Sequence, residues 1–86
     1  MARLQAALAA QQAGRIAEAI AIYDTVIASN PGLFDAWHMR GVAHFQLLAF
    51  DAAERDVRRA LEIEPALDAA RRNLALCGKV RHDLCL

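Results

Sequence analysis

A chain of 86 residues holds one domain, and folding at that size buries only roughly 60–65% of the extended chain's surface, which leaves a thin margin of stability. Hydrophobic residues make up 57% of it, many of them alanine, beside only four glycines and two prolines; this excludes a disordered segment and favours closely packed helices. The 10 Lys and Arg cancel the 10 Asp and Glu, so no net field draws in nucleic acid or an anionic membrane.

The chain opens with one arginine, Arg3, and a cluster of small residues that superficially suggests a secretory signal. Gln5 and Gln11 cut the apolar stretch too short for that, and no window reaches the roughly 18 apolar residues of a membrane span. A cytoplasmic location is the expectation. Apolar residues at helical spacing then predict helices over Ala2–Ala13, Ile16–Ser29, Phe34–Leu47, Asp51–Ile63 and Leu67–Val80. Links of a few residues make neighbouring helices antiparallel hairpins. Asp35 suits the first turn of the third helix, and Asp51 with Glu54 suits a capping box opening the fourth. Toward the end, Arg71, Arg72, Lys79 and Arg81 face only Asp68 and Asp83, a mildly basic finish. Cys77 and Cys85 on one continuous helix stand roughly 12 Å apart along its axis, beyond the about 7 Å a disulfide allows, so two reduced thiols are expected.

The prolines reveal a repeat. Pro31 and Pro65 lie 34 residues apart, and each closes an amphipathic run, because proline disfavours helical geometry in the residue before it. The same shift carries Ala7 onto Gly41, Ile16 onto Phe50, Ala19 onto Ala53 and Tyr23 onto Val57. A recurrence at this period marks an array of stacked units.

Two segments carry a family likeness. Asp35-Ala-Trp-His-Met-Arg-Gly-Val-Ala-His-Phe resembles the first helix of a tetratricopeptide repeat, and Phe50-Asp-Ala-Ala-Glu-Arg-Asp-Val-Arg-Arg-Ala-Leu-Glu-Ile-Glu-Pro resembles the second. The family pattern is Trp-x2-Leu-Gly-x2-Tyr, then Ala-x3-Phe, then Pro. This chain supplies Trp37, Gly41, Ala53, Ala60 and Pro65, with His44 for the tyrosine and Val57 for the phenylalanine. Residues 1–33 match best in Gly14-Arg-Ile-Ala-Glu-Ala-Ile-Ala-Ile-Tyr, and residues 68–86 form only a first helix, a terminal cap containing Leu74. The resemblance implies an all-α fold, a right-handed array of about two and a half helical hairpins built from five antiparallel helices. Ala19, Tyr23, Pro31, Trp37, Gly41, Ala53, Val57, Ala60, Pro65 and Leu74 are then the residues that pack the repeats. Two positions depart from the pattern. Leu48 stands where the turn inside a repeat usually has glycine, which predicts a tighter or helical turn. Arg40 replaces a core leucine, and its long stem can pack while its head reaches water or a carboxylate.

The resemblance places the first helix of each pair on a concave side where partners bind. On a helical wheel Trp37, Arg40, Gly41 and His44 share one face, which Gly41 marks for close packing. His38, Met39, Val42, Phe45 and Gln46 fall on the other, with Leu4, Gln5, Leu8, Gln11 and Gln12 from the first helix and Arg72, Asn73, Leu76, Lys79 and Val80 from the last. The expected site is an apolar groove of Leu4, Leu8, Met39, Val42, Phe45 and Leu76 rimmed by Gln12, His38, Gln46, Arg72 and Asn73, unless the domain's own core claims these side chains. It suits an apolar peptide, an amphipathic helix or a second copy of the chain, with Met39 and Phe45 as anchors. The basic clamp with which some repeats of this family hold acidic tails is missing: Leu4, Leu8 and Met39 occupy that side. A second role implied by the resemblance is that of an N-terminal repeat domain ahead of a larger bacterial enzyme, such as a glycosyltransferase or sulfotransferase.

Catalytic chemistry finds no support. His38 and His44 are six apart, a spacing that does not converge on a metal, and His82, Asp83 and Cys85 fall short of a tetrahedral set. There is no glycine-rich phosphate loop and no serine–histidine–acid set. Asp56 with Arg59, and Arg58 with Glu62, are expected as solvated ion pairs. The expectation is therefore a protein-binding module, not an enzyme, with no metal, cofactor, nucleic acid or membrane partner, and with homodimerisation open. Trp37, taken as the largest core side chain, would cost about 3–5 kcal/mol on truncation to alanine.

Overall fold

A computed structural model describes the backbone of residues 2–85 and the side chains of residues 3–76. The expectations placed on Cys77, Lys79, Val80, Arg81, His82, Asp83 and Cys85 lie outside the described side chains. Five helices follow one another: α1 (Ala2–Gln12), α2 (Ile16–Ser29), α3 (Phe34–Gln46), α4 (Phe50–Ile63) and α5 (Asp68–Cys85). Each packs on the next, while α1 touches α3 and α3 touches α5, so α1, α3 and α5 form one layer with α2 and α4 behind it.

Alanine makes the stacking possible. Ala7, Ala10, Ala19, Ala36, Ala43, Ala53, Ala60 and Ala70 are all buried at helix crossings, where a larger side chain would hold the backbones apart. Tyr23 and Val57, 34 positions apart, are the largest fully buried side chains. Trp37 is only half-buried, packed beside Val26, Ile27 and Ala36, so it is not the enclosed core residue that the sequence suggests.

The links repeat as well. Asn30 and Glu64, each preceding a proline, are extended (φ −145° and −133°) and donate their N–H to Val26 and Ala60. Both turns then close with an N–H three residues on, from Leu33 to the Asn30 carbonyl and from Leu67 to the Glu64 carbonyl. Inside each hairpin the turn is left-handed, at Gly14 (φ 86°) and at Leu48 (φ 63°). The turn at Leu48 is thus neither tighter nor helical, as the missing glycine would suggest. It keeps the geometry of the first hairpin with a side chain that disfavours it.

Two further expectations are corrected. The fourth helix begins at Phe50 with Ala49 as its cap and no side-chain capping bond, which leaves Asp51 in the first turn and not at the head of a capping box. The last helix runs on to Cys85.

Candidate protein-binding face

The layer of α1, α3 and α5 carries most of the expected groove, in rows set by the repeat. Leu8, Val42 and Leu76 are successive equivalents, one per helix. Leu8 is 37% exposed and Leu76 46%, while Val42 between them is half-buried. Gln12, Gln46 and Arg72 are exposed around the row and supply a polar rim.

Other expected groove residues turn inward. Leu4 and Met39 are half-buried against the cluster of Ala7, Ala10, Ala19, Tyr23 and Ala43 that joins α1, α2 and α3. Phe45 is half-buried with its ring edge-on to Phe50, centroids 5.3 Å apart, which ties it to the start of α4. His38 is the clearest correction. It does not line the surface: it is only 9% exposed, and its Nε2 accepts from the Asn73 amide at 2.8 Å, which bonds α3 to α5. Burial lowers its pKa from the ordinary 6.5, with Asp35 pulling weakly the other way. Gln11 is likewise interior at 6% exposure. The Tyr23 hydroxyl donates to its Oε1 at 2.8 Å, and its amide donates to Gln46 Oε1 at 2.7 Å, a chain across α2, α1 and α3. Burial pushes the Tyr23 phenol up, so it remains a donor.

Of the residues expected to pack the repeats, Ala19, Tyr23, Gly41, Ala53, Val57 and Ala60 are buried, Trp37 and Leu74 half-buried, and Pro31 and Pro65 exposed. At Gly41 α4 passes close to α3: a Cβ built there would stand 2.8 Å from Val57 Cγ2 and 3.2 Å from the Ala53 carbonyl oxygen. The neighbouring Arg40 makes a fork–fork pair with Asp56, both contacts at 2.8 Å, and reaches Asp24 on α2 with its third nitrogen, also at 2.8 Å. The bond to Asp56 raises the guanidinium's pKa above its ordinary value, against the opposing effect of burial. His44 Nε2 lies 3.6 Å from the same carboxylate. Trp37 Nε1–H donates to the Pro31 carbonyl at 2.8 Å, and the guanidinium carbons of Arg40 and Arg59 stand 5.0 and 5.9 Å from its ring centre.

Asp56 is therefore not the solvated partner of Arg59, nor is Arg58 that of Glu62. Asp56 is buried, Arg59 lies 3.8 Å from Glu62, and Arg58 lies 3.3 Å from Glu54. A signal for this was present in the sequence. Asp56 falls three after Ala53 and four before Ala60, inside the buried stripe of α4.

Among the described residues, no group of three or more His, Cys, Asp or Glu is placed to hold a metal ion. No helix among them is long and apolar enough to cross a membrane. Five helices stacked in sequence as hairpins, with alanine crossings and a shared outer row, define a helical-hairpin repeat protein. The tetratricopeptide repeat model matches residues 2–32 and again 34–67, and the chain belongs to that family, whose domains generally serve protein–protein interaction. No curated protein matches the chain.

Proposed function

We propose that this chain is a protein-binding adaptor that takes an apolar peptide or helix, or a second copy of itself, across the face of α1, α3 and α5. The observation that carries this reading is the row Leu8–Val42–Leu76. Two of its three members keep a third or more of their surface in water although the same helices bury alanines completely on their other side. A ligand crossing the three helices would cover that row, with Gln12, Gln46 and Arg72 available for hydrogen bonds at its edges. Both expected anchors already have a place within the fold, so Leu8 and Leu76 take over that role. The role is binding and not catalysis, in a cytoplasmic setting.

The test uses Leu8→Asp and Leu76→Asp, because both side chains are exposed and neither supports the core. Each is expected to abolish capture of a bound protein, or self-association in sedimentation over a concentration series, while circular dichroism stays helical. Retention of both interactions in the double variant would overturn the reading.

A further inference from the structure

The turn between α3 and α4 keeps a strain that the fold does not use. Leu47 and Leu48 stand where the first hairpin has Ala13 and Gly14. Leu48 holds a left-handed φ of 63°, which glycine adopts freely and leucine resists. Neither side chain gains cover in return, since Leu47 is 50% exposed and Leu48 71%. A residue kept in a disfavoured conformation points to a role outside the fold's own stability. The turn is also held firmly. Leu47 N–H donates to the Ala43 and His44 carbonyls and Leu48 N–H to the Phe45 carbonyl, while the edge-on rings of Phe45 and Phe50 bracket it. Residues 41–50 include no Asp, Glu, Lys or Arg. The result is a stiff, uncharged apolar knob at the tip of the second hairpin.

The large hydrophobic side chains exposed among the described residues fall into two sets: Leu47 and Leu48 on the knob, Leu8 and Leu76 on the row that crosses α1, α3 and α5. The row is shaped to receive a knob, because Val42 at its middle is smaller and more buried than the leucines on either side. Its centre is uncharged, as the knob is. A chain cannot fill its own row, since the turn leads from α3 into α4, which lies behind the layer that carries the row. A second copy can. The 10 Lys and Arg cancel the 10 Asp and Glu, so two copies approach without net repulsion. A knob seated over Val42 would take leucine surface of both copies out of water at once.

We propose that the Leu47–Leu48 knob of one copy seats over Val42 in the row of another, so that the occupant of the α1, α3 and α5 face is this chain itself. The inference rests on the reading of that row as a binding face. Knob and row are different surfaces, so the contact is heterologous.

Sedimentation of the 86-residue chain over a concentration series tests this with two variants. Leu47→Ala with Leu48→Gly gives the second hairpin the turn of the first and removes the knob. Leu8→Asp with Leu76→Asp spoils the row. The unchanged chain is expected to exceed its monomer mass of 9.4 kDa as concentration rises. Each variant alone should associate about tenfold or more weakly. An equimolar mixture of the two should regain association and stop at two chains, because the intact knob of one enters the intact row of the other. The variant without the knob should be no less stable to urea than the unchanged chain, so its loss of association is not a loss of fold. If that variant associates as strongly as the unchanged chain while the row variant does not, the knob is overturned and the row remains a binding face. An unchanged chain that is monomeric at millimolar concentration, or a mixture that stays monomeric, would also overturn the proposal.

Discussion

Leu48 occupies in the second hairpin the left-handed position that Gly14 occupies in the first, and both turns close with the same hydrogen bonds. Arg15 donates to the Ala10 carbonyl and Ala49 to the His44 carbonyl, each at 2.9 Å. Leucine loses roughly 1–2 kcal/mol in this conformation, and its side chain, 71% exposed, recovers little by packing. Leu48→Gly should therefore stabilise the domain. Glycine's larger unfolded-state entropy takes back roughly 0.5–1 kcal/mol, which leaves a net gain of about 0.5–1 kcal/mol. Chemical denaturation with an unchanged m-value would show it; a loss of stability would mean that Leu48 is held by packing.

The opposite sign is expected at Gly41. A Cβ there would overlap Val57 and press on the Ala53 carbonyl, neither of which can move without shifting α4. Gly41→Ala should cost about 1–3 kcal/mol. Adding Val57→Ala removes the nearest obstacle, so the double variant should lose less than the sum of the two single changes. Strict additivity in the cycle would place the strain elsewhere.

Asp56 is buried under Arg40, and truncating one partner strands the other. Asp56→Ala should destabilise by about 2–4 kcal/mol, toward the lower end because Asp24 still holds the guanidinium. Arg40→Leu restores the family's residue but leaves Asp56 with His44 alone, so it too should cost stability. Combined with Asp56→Leu it should recover much of the loss, since an apolar pair needs no partner. Thermal melts of the three variants decide the matter.

The His38–Asn73 bond makes the docking of α5 sensitive to acid. The ring accepts through Nε2, so protonation there sets one donor against another. Because burial lowers its pKa in the fold, the unfolded chain takes the proton first as pH falls below about 6.5. Stability is full above that value and declines as pH drops toward the folded pKa. His38→Gln should flatten this part of the stability–pH curve measured by urea denaturation. An unchanged slope would assign it to other groups.

Much of the fold is legible in the letters because its signals are local. The 34-residue period, the two prolines and the helical spacing of alanine depend on neighbours along the chain, and they locate every helix to within a few residues at its ends. The face was harder to read. A wheel shows which side of α3 His38 and Met39 share, but not that Asn73, 35 residues on, would satisfy His38, or that the α1–α2 cluster would absorb Met39. Gln11 illustrates the same limit, since nothing near it in sequence announces Tyr23 or Gln46. Leu48 misled for a different reason. Glycine is the cheap solution to a left-handed turn, and the stacked helices on either side impose the turn regardless.

Trp37 is the chain's only tryptophan, and it stands where α2, α3 and α4 converge, bonded to Pro31 and flanked by Arg40 and Arg59. Its indole is thus a built-in optical probe of that joint. Any event that parts the two hairpins would take Val26 and Ile27 off the ring and admit water to it, while Arg40 and Arg59 stay beside it on the second hairpin. The emission spectrum of the unlabelled protein would register that opening separately from the melting of individual helices.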